Sequence, residues 1–311
     1  ELPVVINARA DNASLAHLFK YDSVHRTFKG TVDHDENGII INGTHIAVTR
    51  CKPNEWQWKD YGVDLVVEST GTIKKRAGLA EHIACGAKKV IMSAPVSDAD
   101  ITIVMGVNDG LYDPAKHDVV SSASCTTNCL APVAKALNDT FGIEQALMST
   151  IHAATAKQKA VDARAGRDWR TGRSVLGNII PSTTGAAKAV GVVIPELKGK
   201  MTGMSFRVPT NDVSVVDLTA RLKQPASYHD VCVAMENAAQ NSMKGIITCT
   251  NDQVVSSDLT GFSETCIFDE TAGIMLDNNF VKLIAWYDNE WGYTNKILDL
   301  MAYMHTADQS R

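Results

Sequence analysis

The sequence predicts an α/β protein: a doubly wound parallel sheet first, then a second, α+β part with an antiparallel or mixed sheet. Three observations carry this expectation. In the first 124 residues, short apolar runs alternate with helical spacings, and turn residues follow the runs. Beyond residue 125 the apolar runs lengthen, and several alternate apolar with polar positions, as in Val213-Ser214-Val215-Val216-Asp217-Leu218-Thr219. The length, 311 residues, suits two domains better than one.

The elements follow in order. Leu2-Pro3-Val4-Val5-Ile6 is a strand-like run, and Ser14 to Phe19 has helical apolar spacing. Asn37 to Val48 reads as a hairpin about the turn pair Asn42-Gly43. Asp64 to Glu68 and Lys89 to Ser93 are strands flanking a helix over Lys75 to Cys85. Ile101 to Val104 and Val119 to Ser121 complete the first part. In the second part, strands are expected at Met148–Ala153, Thr202–Val208, Val213–Leu222, Gly245–Cys249 and Val281–Tyr287. Helices are expected near Ser182–Ile194 and Tyr228–Asn241, and Gly292 to His305 reads as one amphipathic helix. The predicted division is a dinucleotide-binding domain over 1–124, joined by the C-terminal helix 289–311, and a catalytic domain over 125–288.

Composition narrows the function. Apolar residues make up 45% and charged residues 21%, which argues against disorder or a fibre. The net charge of −5 disfavours nucleic acid as the main partner. No stretch reaches the length of a membrane span, and the N-terminal residues do not read as a signal peptide. Seven scattered cysteines form no disulfide framework, and a reducing cytoplasm suits them best. No CxxC pair is present, and Cys125 and Cys129 have no neighbouring His cluster, so no metal site is expected.

The segment Ser122 to Leu130 lies between an apolar strand and a helical pattern with Val133, Leu137 and Phe141 recurring at fours. Cys125 therefore falls at or just before a helix N-terminus, among Ser and Thr capping residues. Aligned peptide N–H groups there favour an anion, which predicts a lowered thiol pKa and a nucleophile. Pro132 removes a helical N–H two turns in and predicts an irregular helix start. A nucleophilic thiol needs a base, and His152, ending the strand-like run Thr150-Ile151-His152, is one of nine histidines that could serve.

Ser124-Cys125-Thr126-Thr127-Asn128-Cys129-Leu130-Ala131-Pro132 resembles the active-site signature of the glyceraldehyde-3-phosphate dehydrogenase family. Tyr21-Asp22-Ser23, Glu68-Ser69-Thr70-Gly71, Thr150-Ile151-His152-Ala153, Ile180 to Lys188, Arg207-Val208-Pro209-Thr210 and Trp286 to Glu290 resemble the same family, in the same order. The resemblance implies a Rossmann-type first domain and a phosphorylating aldehyde dehydrogenase. It implies that Cys125 attacks the aldehyde of D-glyceraldehyde 3-phosphate, that His152 is the base, and that inorganic phosphate cleaves the resulting thioester. It implies a substrate-phosphate site at Thr155 and Arg207, and an attacking-phosphate site at Ser124, Thr126, Thr184 and Gly185 with Arg207 near both. It also implies a homotetramer, in which the loop around Arg164 reaches a neighbouring subunit's cofactor.

Cofactor binding is implied at Asn7, Thr70, Ser93, Asn289, for the nicotinamide carboxamide, and Tyr293, behind the ring. Two departures bear on it. A dinucleotide fold opens with a strand, a Gly-x-Gly-x-x-Gly turn and a helix. Here Val4-Val5-Ile6-Asn7 reads as the second strand and the glycine turn is absent, so the sequence is expected to be incomplete at its N-terminus. NAD-using members carry Asn-Asp at the end of this strand, whereas this chain has Asn7-Ala8 followed by Arg9. Ala8 removes a carboxylate that would repel a 2′-phosphate, and Arg9, Arg50 and Arg164 supply cations. The expectation is therefore use of NADP or NAD, with NADP favoured. A dehydrogenase for erythrose 4-phosphate and a non-catalytic binding or regulatory homologue are the alternatives.

Overall fold

The computed structural model describes residues 3–310. The residues divide into two compact units, one running to Ile101 and including Pro114–Ser121, the other holding Thr102–Asp113 and the chain from Ser122 onward. Leu2, at the head of the first predicted strand, and Arg311, at the end of the predicted terminal helix, lie outside the described residues.

The first unit is built of β1 (Val5–Asn7), α1 (Asn12–Lys20), β2 (Tyr21–Asp22), β3 (Arg26–Thr27), β4 (Val32–His34), β5 (Gly38–Ile41), β6 (Thr44–Thr49), β7 (Leu65–Glu68), α2 (Arg76–Ala84), β8 (Lys89–Met92), β9 (Ile101–Thr102) and β10 (Val119–Ser121). The expected parallel pairs are present, distributed over two four-stranded sheets in the orders β1-β6-β5-β4 and β7-β8-β10-β9. β1 runs parallel to β6, and β7, β8 and β10 are mutually parallel. The predicted hairpin joins β5 to β6, with Asn42 at φ 50° and Gly43 at φ 80°, the left-handed pair that a two-residue turn demands. α1 starts where Asp11 accepts the Ser14 N–H at 2.8 Å.

A buried polar strut fixes the end of β7. His82, 2% exposed, accepts from Trp58 Nε1 at Nδ1 (3.1 Å), so Nε2 carries the ring proton and donates to Glu68 at 3.1 Å. Burial raises the pKa of Glu68, but hydrogen bonds from His82 and Thr70 prevail and hold it low. The charged carboxylate then receives the Thr70 N–H at 2.8 Å and anchors the turn after the strand.

The second unit holds α3 (Cys125–Phe141), β11 (Ile143–His152), β12 (Ile180–Thr183), α4 (Ala186–Val193), β13 (Met201–Arg207), β14 (Ser214–Leu222), α5 (Tyr228–Gln240), β15 (Ile247–Thr250), β16 (Cys266–Asp277), β17 (Phe280–Tyr287) and α6 (Trp291–Gln309). Its seven-stranded sheet has the order β12-β13-β11-β14-β17-β16-β15 and is mixed, as expected. β11 pairs with β13 in parallel and with β14 in antiparallel. β14 alternates buried with half-buried residues, so one face is covered. Leu130 and Leu137 of α3, Val231 and Met235 of α5, and Met148, Leu218, Phe268 and Leu283 of the sheet form that core.

The predicted helix at Ser182–Ile194 begins later, because Ser182 and Thr183 pair with β13 as strand. β12 and β16 were not foreseen as strands. Pro132 does not disturb the helix start, since α3 is continuous from Cys125 to Phe141. The terminal helix groups with the larger unit, where Lys296 donates to the Gly245 carbonyl (2.8 Å) and Tyr112 donates to Asp308 (2.9 Å).

Gly203 is required by close approach between β13 and β11. A Cβ there would lie 2.4 Å from the Met148 carbonyl oxygen, a backbone atom that cannot step aside. Gly203→Ala is expected to destabilise by about 1–3 kcal/mol, as overpacking does, and to lower the thermal unfolding midpoint by several degrees.

Candidate active site

The site is assembled at one tight turn. Ala123 has φ 58° and no exposed surface, a left-handed conformation that costs an L-residue about 1–2 kcal/mol. Its surroundings hold it there: Tyr293 OH donates to the Ala123 carbonyl (3.2 Å), and Asn128 Nδ2 donates to the carbonyls of Ser122 (2.9 Å) and Ser124 (3.0 Å). Ser124 then caps the helix, accepting the Thr127 N–H at 3.2 Å. Cys125 is the first residue of α3, as expected.

His152 ends β11 and presents Nε2 to Cys125 Sγ at 3.5 Å. Parallel pairing of β11 with β13 sets His152 beside Arg207, the last residue of β13. Arg207 Nη1 lies 2.7 Å from His152 Nδ1 and donates to the Ala153 carbonyl at 3.1 Å. The same carbonyl is 2.8 Å from His152 Nδ1. These three side chains, chosen from positions 27 and 55 residues apart, form the centre of the site.

The electrostatics correct one expectation. The helix N-terminus was to lower the pKa of Cys125, but enclosure of the thiol pushes it up, outweighing hydrogen bonds with Thr126 and the charge of Arg207. Burial, followed by the Arg207 charge, lowers the pKa of His152 to about 4. Each charged form is disfavoured alone. Formed together at 3.5 Å, thiolate and imidazolium offset one another's charge.

Three residues not singled out from the sequence support this centre. Tyr287 OH bridges Thr126 Oγ1 (2.8 Å) and Thr150 Oγ1 (2.9 Å), and the edge of its ring meets His152 at 6.0 Å between centroids. Ser214 Oγ accepts the Ala153 N–H at 3.0 Å and donates to Asn289 Oδ1 at 2.6 Å. Asn289 is thereby oriented with Nδ2 left as the donor, which suits the carbonyl of a nicotinamide carboxamide. The strand alternation marks Tyr287 and Thr150 only as inward-facing positions, and nothing local to Ser214 announces its role.

The remaining predicted residues are more dispersed. Thr126 commits its hydroxyl to Tyr287, and Ser124 shares its own with Thr127 Oγ1 at 2.8 Å. Thr155 bonds Gln158 Oε1 through its N–H (3.0 Å) and hydroxyl (2.9 Å). Thr184 and Gly185 stand at the start of α4, where Thr184 Oγ1 accepts the Ala186 N–H at 3.2 Å. No direct side-chain bond joins Thr155, Thr184 or Gly185 to Cys125 among the described residues. Tyr293 OH also contacts Ser122 Oγ at 2.8 Å, so it braces the turn before Cys125. Arg164 is exposed, on a loop tied by Arg173 to Asp162 (2.9 Å) and by the Ala163 N–H to the Gly172 carbonyl (2.8 Å).

In the first unit, Asn7 accepts from the Cys51 N–H (2.8 Å) and the Thr49 hydroxyl (2.9 Å), pinning the C-terminal ends of β1 and β6 together. The chain then turns through half-buried Ala8 and exposed Arg9. Arg50 reaches the same turn, its Nη2 donating to the Ala10 carbonyl and Asn12 Oδ1, both at 2.7 Å. Arg50 thus reaches the turn that carries Ala8 and Arg9, with its guanidinium engaged by Ala10 and Asn12. Thr70 and Ser93 follow the C-terminal ends of β7 and β8, where the Ser93 N–H donates to the Glu68 carbonyl at 3.0 Å.

Sequence comparison extends this geometry. Residues 3–76 match the family model described as glyceraldehyde 3-phosphate dehydrogenase, NAD binding domain, and residues 124–289 match the one described as its C-terminal domain. The cytosolic glyceraldehyde-3-phosphate dehydrogenase of Chlamydomonas reinhardtii is 52% identical over 301 residues, 96% of this chain and 87% of the relative. Glyceraldehyde-3-phosphate dehydrogenase 2 of Danio rerio is 54% identical over 94% of this chain and 88% of its own length. The enzyme of Podospora anserina is 53% identical over 94% and 87%, respectively. With both family models matched in order and Cys125 at the start of α3 in contact with His152, the chain belongs to the glyceraldehyde-3-phosphate dehydrogenase family.

Proposed function

We propose that this chain is the phosphorylating, nicotinamide-dependent dehydrogenase of D-glyceraldehyde 3-phosphate. The observation that carries the reading is the contact of Cys125 Sγ with His152 Nε2 at 3.5 Å, with Arg207 beside the ring. His152 takes the thiol proton, Cys125 attacks the aldehyde carbon, and His152 returns that proton to the new oxygen, giving a thiohemiacetal. The Cys125 N–H and the His152 side chain hold the oxygen that gains charge. A bound nicotinamide supplies the hydride acceptor. As the carbon is oxidised, His152 accepts the hydroxyl proton at Nε2, leaving a thioester on Cys125. Inorganic phosphate cleaves it to 1,3-bisphosphoglycerate and frees the thiol.

Phosphate recognition falls to Arg207 and Thr155 for the substrate, and to Ser124, Thr126, Thr184 and Gly185 for the attacking phosphate. Arg207 supports this best, as a half-buried cation whose Nε has no hydrogen-bond partner among the described residues. Asn289 would bind the nicotinamide carboxamide through Nδ2, and Asn7, Thr70, Ser93 and Tyr293 would complete the cofactor site. Residues 1–124 would form the dinucleotide-binding domain and 125–288 the catalytic domain, with helix 289–311 assigned to the first by family resemblance although it groups with the larger unit. A homotetramer is supported by exposed Val161, Trp169, Leu176 and Ile179 on and beside the Arg164 loop. A reducing cytoplasm suits the seven free thiols, and no described helix is long and apolar enough to cross a membrane.

In phosphate buffer near neutral pH, iodoacetamide is expected to label Cys125 ahead of the other six cysteines, as read by peptide mapping. Cys125→Ser is expected to lower kcat by roughly a thousandfold or more, as loss of a nucleophile does. Retention of most activity by that variant would exclude the thioester route.

The adjacent Ala8, Arg9 and Arg50 favour NADP over NAD. One charge-assisted hydrogen bond contributes about 1.5–3 kcal/mol, and about 1.4 kcal/mol is tenfold. Arg9→Ala is therefore expected to raise KM for NADP up to about tenfold, less if water screens the exposed side chain, with NAD unaffected. Ala8→Asp should impair NADP more than NAD. An unchanged ratio of kcat/KM values in both variants would make these arginines ordinary surface charges.

Light scattering is expected to give four times the chain mass. A stable, fully active monomer would remove both the tetramer and the role of Arg164.

A further inference from the structure

Glu68, the last residue of β7 and 4% exposed, holds two of the residues assigned above to the cofactor. Its carboxylate accepts the Thr70 N–H at 2.8 Å and the Thr70 hydroxyl through the same oxygen, Oε1. Its carbonyl accepts the Ser93 N–H at 3.0 Å and the Ser93 hydroxyl at 3.3 Å. Parallel pairing sets Glu68 opposite Met92, so the chain leaves β7 towards Thr70 and β8 towards Ser93 at the same end of the sheet. Open parallel sheets take their ligands at that end, outside the C-terminal ends of the strands.

The arrangement needs the charged form of Glu68. Trp58 Nε1 only donates, so His82 Nδ1 accepts from it at 3.1 Å, and Nε2 carries the proton that reaches Glu68 Oε2 at 3.1 Å. A protonated acid would meet the His82 Nε2–H with a second hydrogen, and the ring cannot turn its proton to Nδ1 without opposing Trp58. Trp56 stacks on the imidazole at 3.8 Å between centroids and covers that face of the ring. Burial alone would raise the pKa of Glu68, but the bonds from His82 and Thr70 hold it low.

The hold extends through the turn. Thr70 gives its single hydroxyl proton to Glu68, so its oxygen accepts from the Thr72 hydroxyl at 2.8 Å and the Thr72 N–H at 3.2 Å. Gly71, between them, has φ 69°, and a Cβ there would meet no atom within 4 Å. The turn is tied from beneath and open above. We propose that Glu68 is a positioning residue for the dinucleotide: bonded by His82, its carboxylate sets the turn 69–72 and Ser93 in the geometry that the cofactor meets. The inference rests on the function proposed above, and adds that cofactor affinity depends on two buried side chains beneath the turn. A turn ordered beforehand carries no ordering cost at binding, so loss of the carboxylate weakens binding more than it slows hydride transfer.

The test measures the binding of NAD and of NADP to the full-length protein by calorimetry. Glu68→Gln keeps the side-chain volume, but its amide cannot accept from both Thr70 and His82. His82→Leu removes the donor altogether. Both variants are expected to raise Kd by about tenfold or more, the size of one charge-assisted hydrogen bond. At saturating cofactor, kcat should change by less than about threefold. His82→Gln is expected to recover binding to within about threefold of the wild type, because its amide accepts from Trp58 and donates to Glu68. Val90→Ala makes a cavity in the same sheet, at a residue with no exposed surface, and serves as the control for stability. It should lower the unfolding midpoint and leave Kd unchanged. Wild-type affinity in Glu68→Gln, no recovery in His82→Gln, or an equal loss of affinity in Val90→Ala overturns the proposal and leaves the dehydrogenase reading standing. Failure of the wild type to bind either dinucleotide removes the proposed function, and this inference with it.

Discussion

The site depends on the parallel pairing of β11 with β13. That register ends both strands together, with His152 opposite Arg207. It brings two nitrogen-rich side chains into contact inside a low-dielectric pocket, where each alters the other's proton affinity. The fit admits no slippage. A one-residue shift of either strand would turn its side chain to the other face of the sheet, and Gly203 lets the two backbones approach closely. The helical layer over Met148, Leu218 and Leu283 holds the register through ordinary hydrophobic burial.

A second constraint is that buried polar groups must be paired. Thr126, Tyr287 and Thr150 form one hydrogen-bonded chain beneath the pair, and Ala153, Ser214 and Asn289 form another beside it. The first chain ties Thr126, next to Cys125, to β11, and the second orients Asn289 through its Oδ1. Arg207 differs in keeping a spare buried donor.

Burial also accounts for the inversion of the expected thiol pKa. A helix N-terminus contributes roughly half a unit charge, but enclosure penalises the thiolate more strongly here. In the mechanism proposed above, the nucleophile would therefore be made by proton transfer to His152 and not by the helix alone. The left-handed Ala123 serves the same end, since the strained turn sets Cys125 at the first position of α3, within reach of the ring.

The sequence by itself determined what short-range patterns encode. Asn42-Gly43 specified its hairpin, alternation specified β14 and β17, and Ser124 specified the start of α3 at Cys125. The family motifs named Cys125 and His152 in advance of any coordinates. Three things were beyond it. β16 escaped notice because register shifts break its alternation between Asp269 and Ile274, and β12 because Ser182 and Thr183 read as part of the helix that follows, whereas they pair with β13. Tyr287, Thr150 and Ser214 looked like interior residues, since hydrogen bonds that span 61 to 161 positions leave no local trace. The contact of Arg207 with His152, and with it the lowered pKa of the imidazole, was decided only by tertiary structure. Periodicity is a property of neighbours along the chain, whereas pKa and tautomer depend on burial and on the charges that folding brings alongside.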